Sequence, residues 1–277
     1  MAIAPQTDEL IEEEAEREIV EEGVGISPRL IFETIRREGE EELERPVRAL
    51  WWSGIAAGIL ISFSVLGKSL FRAYLPEADW TPLVENLGYS LGFLMVILGR
   101  MQLFTENTIT TVVPVVLRQD MDSFVRTARL WGIVLGANVV GAFVISAFFG
   151  LTPVLKPELL EAMIKISEHA TGMEPMIGLI SGIPSGILIA AIVWMMPSAA
   201  NNKIVLVVIF TWLIAAGDFT HIVAGSVEMA LLLLLGELGI GQAVLGFFLP
   251  VLIGNVIGGT VVFTLLTYAQ IRPEIRG

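Results

Sequence analysis

From Val47 onward the chain offers one long apolar stretch after another. About 20 apolar residues suffice to cross a bilayer core as a helix. Six stretches meet that length, near 47–67, 83–116, 124–150, 176–197, 203–236 and 240–269. The expectation is an all-α membrane protein with six transmembrane helices. The second and fifth stretches are too long for one straight crossing and carry polar residues midway, so both are expected to be broken helices. The connections hold most of the remaining charge, including Glu77 and Asp79, Asp120 to Arg129, and Lys156 to Glu168.

The formal net charge is −12, and its distribution divides the chain. Residues 1–48 hold 15 acids and 6 arginines, a net of −9, leaving −3 for the other 229 residues. The expected organisation is an acidic tail over 1–46, a transmembrane domain over 47–270 and a short C-terminal segment over 271–277. No positive region followed by an apolar stretch succeeds Met1, so no cleavable signal peptide is expected. Ser27-Pro28 ahead of Arg29-Leu30-Ile31-Phe32-Glu33 reads as an N-cap and first-turn proline opening a short amphipathic helix. That helix is expected to be solvated, or to serve as a docking arm for a cytosolic partner. With the N-terminus inside, twelve Lys and Arg fall on the cytoplasmic side and four outside, which sets both termini in the cytoplasm of a bacterial or archaeal cell.

Acidity argues against nucleic acid as a partner. There is no cysteine and only two histidines, His169 and His221, so a thiolate nucleophile or a multi-histidine metal site is not expected. No nucleophile–base pair is visible. Neither an enzyme nor a cofactor protein is expected.

Two segments echo each other. Gly136-Ala137-Asn138-Val139-Val140-Gly141 resembles Gly254-Asn255-Val256-Ile257-Gly258, with the Asn-x-x-Gly cores offset by 117 residues. Phe104-Thr105 finds a counterpart in Phe219-Thr220 at an offset of 115. Two landmarks at nearly one offset suggest a duplicated three-span unit, and an odd span count inverts the second copy, a 3+3 inverted repeat. Irregular backbone at membrane depth survives only beside a cavity or buried in protein, so the two breaks are expected to face one another. Asn138, Gly141, Asn255 and Gly258 read as helix-packing residues.

His221 lies at the break of the fifth stretch in a very apolar context. An ionisable group there is a functional candidate by default. The other break is Leu103-Phe104-Thr105-Glu106-Asn107. Leu103 and Phe104 are apolar enough to close a pore by dewetting, and Thr105 can donate a hydroxyl to an anion. Glu106 is expected to cap a half-helix or to pair with Arg100. Asp218 reads as a loop-orienting or capping residue, and Glu228 as a residue near the outer end of the fifth stretch.

These residues carry a resemblance. Gly99, Leu103-Phe104-Thr105, Gly136, Asn138 and Gly141, with Gly54-Ile55-Ala56-Ala57-Gly58 and Gly254 to Gly259, look like the formate/nitrite transporter family. Phe219-Thr220-His221-Ile222-Val223-Ala224 resembles its Phe-Glu-His-x-x-Ala segment. The likeness spans roughly residues 47–270. It implies a homopentamer of aquaporin-like protomers in a lipid bilayer, each with its own pore for a small anion such as formate, nitrite or hydrosulfide. By the same likeness His221 is the central pore histidine, Thr105 belongs to the re-entrant loop, and Leu103 and Phe104 form the cytoplasm-facing constriction. The sequence departs from the pattern where Thr220 replaces a glutamate, Gly225 an asparagine and Gly186 another asparagine, and no lysine counterpart lies near His169 and Ala170. It resembles a divergent branch.

The function expected is passage of small monovalent anions with proton linkage at His221. The alternatives are an aquaporin-like channel for water or neutral solutes, prompted by the lost polar residues at Thr220, Gly225 and Gly186, and a transport-silent sensor or scaffold recruiting a partner through the acidic tail.

Overall fold

The computed structural model describes residues 26–276; the tail positions before Ile26, on which part of the acidic-arm expectation rests, lie outside the described residues. Those described form helices and connecting turns without a strand. Helix α1 is Pro28–Glu44, α2 Val47–Tyr74 and α3 Thr81–Leu98, the last with a 3-10 turn at Asn86–Tyr89. Then follow α4 Phe104–Thr110, α5 Val112–Arg118, α6 Met121–Leu151 and α7 Pro157–Thr171. Helices α8 Pro175–Met195, α9 Lys203–Ala216, α10 Ile222–Leu235 and α11 Gln242–Pro273 complete the order. Among the described residues five helices are long and apolar enough to cross a membrane: α2, α3, α6, α8 with its following turn, and α11. The fifth apolar stretch is divided between the shorter α9 and α10.

Helix α7 occupies a region read from sequence as a connection. Pro157 opens it, and Leu159, Ala162, Met163 and Ile166 repeat at helical spacing and are buried. Its apolar stripe packs on α10 and α2. The amphipathic period was present in the residues, but a charge every few positions drew the reading toward a loop.

Both expected breaks are present, and their backbones match at an offset of 118. Helix α3 ends at Gly99-Arg100, where Arg100 adopts φ 52°, and α9 ends at Gly217-Asp218, where Asp218 adopts φ 53°. The Met101 N–H then donates to Val96 O at 3.0 Å and the Phe219 N–H to Ile214 O at 2.9 Å. This left-handed closure of a helix end normally uses glycine. Aspartate tolerates it, whereas arginine bears a cost of about 1 kcal/mol or more. The register differs from the one suggested by the repeated Phe-Thr pair: backbone hydrogen bonds equate Phe104 with Ile222 and Leu103 with His221, and the recurring dipeptide is incidental to them.

Each break is held by one asparagine. Asn138 of α6 donates to Gly54 O and Gln102 O, both at 2.8 Å, and accepts from the Phe104 N–H at 3.0 Å. Asn255 of α11 donates to Gly182 O and Thr220 O, both at 2.9 Å, and accepts from the Ile222 N–H at 2.8 Å. A primary amide has two N–H donors and a carbonyl, and all are used in both copies. Close helix crossing makes this reach feasible. A Cβ on Gly141 would collide with Ile55 O and one on Gly258 with Ile183 O. Gly186 plays the same part against Asn255 O, so the position read as a lost pore asparagine is a packing contact here.

Helix α1 is neither free nor merely solvated. Ile31, Phe32 and Ile35 are buried with Ile109, Val113, Ala190 and Ile271 of the body. Glu38 pairs with Arg100 at 3.4 Å and Glu40 with Arg118 at 2.6 Å. The apolar face of the expected docking arm is thus already occupied. On its outer side, the hydrogen bond from Arg36 leads the effects that hold the Glu33 carboxyl down at about 2 against an ordinary 4.5, with burial opposing and Arg37 adding to the lowering.

Replacing Asn138 or Asn255 by alanine strands two carbonyls and an N–H in a buried site, a loss of roughly 3 kcal/mol. Thermal or SDS-induced unfolding of the purified variants measures it, and a change under about 1 kcal/mol contradicts the clamp. For α1, a depressed carboxyl stabilises above its unfolded value and ceases to do so as pH falls through the folded one. Resistance of α1 to proteolysis is therefore expected to be steady from neutral pH to about 4.5 and to decline between there and about 2.

Candidate functional site

The N-termini of α4 and α10 meet in the centre of the molecule. Leu103 and His221 stand in the residue position just ahead of each helix, both in extended backbone conformation. This brings Thr105 Oγ1 to 2.8 Å from His221 Nε2, across 116 residues of sequence. Both side chains are buried, at 1% and 2% exposure. The ring of Phe93 closes edge-on against the imidazole, with centroids 5.0 Å apart.

The hydrogen bonds assign the imidazole proton. His221 Nδ1 accepts the Ala224 N–H at 3.3 Å, so in a neutral ring the proton resides on Nε2 and is donated to Thr105 Oγ1. The threonine hydroxyl hydrogen is then left to point elsewhere. Thr108 Oγ1 donates to Thr105 O, fixing the turn that carries it.

Two cavities flank this contact and share no lining residue. One, of about 560 Å³, is lined among others by Glu38, Glu42, Arg100, Gln102, Glu106 and Thr110. The other, of about 40 Å³, is lined by residues including Lys68, Tyr89, His169, Asp218, His221 and Glu228. They lie toward opposite ends of α2: Arg45, also lining the large cavity, precedes its first turn, while Lys68 comes 21 residues after Val47, about 30 Å along the axis. The smaller chamber has room for on the order of three waters.

The remaining sequence candidates separate into groups. Phe219 and Thr220 line the small chamber, but the Thr220 hydroxyl is spent on Gly178 O at 2.7 Å. Leu103 and Phe104 are buried, and Phe104 stacks edge-on with Trp131 at 5.5 Å. Asn107 Nδ2 donates to Gln102 Oε1 at 3.2 Å and to Leu103 O at 3.3 Å, stiffening the first break. Arg100 does not pair with Glu106; its side chain is 80% exposed and its guanidinium reaches Glu38 of α1. Asp218 pairs with His169 of α7 at 2.8 Å. The two left-handed residues thus carry opposite charges, and each ties its break to a peripheral helix. Asn138, Gly141, Asn255 and Gly258 serve the helix contacts described above. Among the described residues no cluster of three or more His, Asp or Glu could hold a metal ion.

Sequence reading missed Phe93, Tyr89 and Lys68, which carry no local signal for a site. It also placed Glu228 near a helix end, whereas this residue lies midway in α10, 8% exposed and facing the small chamber. Its spacing of seven from His221 was the available signal, since residues seven apart share a helix face.

The family profile described as Formate/nitrite transporter matches residues 29–269. The inner membrane protein YfdC of Escherichia coli (strain K12) is 43% identical over 271 residues, which is 96% of this chain and 87% of that protein. The formate channel FocA of Haemophilus influenzae is 25% identical over 235 residues, 76% of this chain and 82% of its own. Among solved structures, one described as a pentameric formate channel with formate bound superposes with a TM-score of 0.70 at 20% identity, covering 82% of this chain and 98% of that one.

The resting tautomer is directly measurable. In ¹⁵N-histidine-labelled protein, with the second signal assigned through His169→Gln, His221 is expected to show a protonated Nε2 and an unprotonated Nδ1. Thr105→Val should shift the Nε2 signal while leaving the fold intact, and an Nδ1-protonated resting ring would contradict the geometry.

Proposed function

The chain belongs to the formate/nitrite transporter family, and from that premise we propose that it conducts small monovalent anions such as formate or nitrite through a pore in each protomer. The proposed protomer has six spans arranged as a 3+3 inverted repeat, with α3–α5 and α9–α10 as the broken crossings. Five such protomers assemble as a homopentamer in the cytoplasmic membrane, with both termini in the cytoplasm. The single observation that carries the reading is the buried Thr105–His221 contact where two half-helix N-termini meet between cavities.

A bare anion does not cheaply pass an apolar constriction. Half-helix N-termini favour negative charge, and the free hydroxyl hydrogen of Thr105 is a donor aimed at no other described group. His221 adds the proton. Nε2–H polarises Thr105, while Nδ1 is restrained only by the long 3.3 Å contact from Ala224. A proton arriving at Nδ1 releases that contact and makes Nε2–H an acid able to neutralise the anion in the constriction. Leu103 and Phe104 keep the passage free of bulk water, so that the permeant crosses as the neutral acid.

Flux of formate and nitrite into proteoliposomes tests the proposal. Wild type is expected to exceed empty vesicles, and His221→Phe to reduce flux by at least about a hundredfold, the scale of a lost general acid. No flux of either anion in wild type refutes it. Osmotic swelling separates the neutral-solute alternative, since water permeability without anion flux favours that class instead.

A further inference from the structure

Buried carboxylates are ordinarily paired. Glu85, 5% exposed, obeys this by meeting Arg72 at 3.3 Å. The buried Glu228 and the half-buried Glu106 do not: among the described residues neither carboxylate takes part in a hydrogen bond or an ion pair, although basic groups line the same cavities. Arg100 turns to Glu38 instead, and Lys68 faces the chamber without closing on Glu228.

Their positions are complementary. Glu106 follows Thr105 directly in the first turn of α4 and lines the large cavity. Glu228 lies two helical turns beyond His221 on α10 and lines the small chamber with it. One unpartnered carboxyl therefore stands on each side of the Thr105–His221 contact. A bare carboxylate in each vestibule would repel the very anion the pore is read to conduct, whereas a carboxyl that gains and loses a proton would serve it.

The charged surroundings are specific to each side. Around Glu228, α2 supplies Lys68, α3 supplies Tyr89, α7 supplies His169, and the break supplies Asp218. Helix α6 packs along α10 but carries its charges, Asp122, Arg126 and Arg129, only in its first three turns, and Gln242–Phe248 has none. Around Glu106, α1 contributes Glu38, Glu41 and Glu42 and the residue capping its C-terminus, Arg45, with Arg100 and Lys203 completing the set. Including Glu106, four acids face three bases there.

We propose that Glu228 and Glu106 are the proton-loading groups on the two sides of the constriction, delivering and receiving the proton that travels with each anion; this rests on the anion-conducting reading above. The Glu228 carboxylic acid gives its proton to a water of the small chamber as that water gives one to His221 Nδ1, so an O–H of the acid breaks, an N–H forms and a carboxylate is left. The Nε2–H proton passes to the permeant oxygen, directly or by way of the Thr105 hydroxyl, and the ring is again neutral. The neutral acid crosses and gives its proton to the Glu106 carboxylate, departing as the anion. Chamber water takes the proton from Nδ1 and returns one to Nε2, while Glu228 reloads and Glu106 unloads to water on its own side. One proton accompanies one anion, and the cycle runs in either direction.

The experiment is formate flux into proteoliposomes loaded with a pH-sensitive dye, reading anion and proton movement together. Wild type is expected to move both in step, with flux rising as the donor side is acidified. Glu228→Gln and Glu106→Gln should each slow both movements on the order of tenfold at neutral pH. Glu228→Asp and Glu106→Asp should restore coupled movement, which a merely structural role would not require of the carboxyl. Glutamine variants that carry formate and protons at the wild-type rate overturn the inference and leave the anion reading intact. Wild-type formate flux without proton movement, a result available even if a variant fails to fold, overturns the inference together with passage as the neutral acid and leaves anion conduction itself standing. Wild type that moves neither formate nor nitrite overturns both.

Discussion

A helix interrupted away from water leaves backbone N–H and C=O groups that have no solvent to turn to, at a cost of several kcal/mol each. In this protein two asparagine side chains resolve that problem, and the rest of the structure follows from them. Asn138 and Asn255 each join a neighbouring long helix to both sides of a break, using every hydrogen-bonding group of the amide. Because each clamp fixes the first N–H of a short helix, it also fixes where that helix points. Thr105 and His221 meet as a consequence of two such fixed helices. No smaller polar side chain offers two donors and an acceptor in one plane, which is why the repeated motif is built on asparagine.

Electrostatics divides along the same lines. At the two breaks the residues in left-handed backbone, Arg100 and Asp218, each line one of the cavities and are held by partners on α1 and α7. These exposed pairs contribute little stability individually. Their consequence is geometric, since each connects a break to a helix lying outside the main crossings. The carboxyls nearer the centre are the unpartnered ones, and low solvent access makes any charge on them count for more than at the surface.

Much of the architecture was legible beforehand. All six apolar stretches coincide with helices or broken helices, and both interruptions fall where polar residues lie mid-stretch. The Asn-x-x-Gly echo marked the clamps, although their hydrogen-bonding role could not be read from spacing. The failures were of register and partner. Matching Phe104-Thr105 to Phe219-Thr220 chose identical letters over equivalent backbone, three residues away from the correspondence at 118. Of the two roles open to Glu106, capping a half-helix or pairing with Arg100 six residues back, the second is not realised, because Arg100 meets Glu38 on a helix docked from elsewhere. Helix α7 was overlooked because its charges masked a buried stripe.

By itself the sequence determined the solvent of each segment, the places where helices must break and the residue types able to mend them, because hydropathy, backbone chemistry and side-chain valence are local properties. Only the tertiary structure decided which groups meet: Thr105 with His221, Glu228 with the chamber beside it, Arg100 with Glu38. Such pairings depend on the crossing and rotation of helices far apart in the chain. A change of one residue in register turns a side chain about 100° around its helix, and no local pattern records that angle.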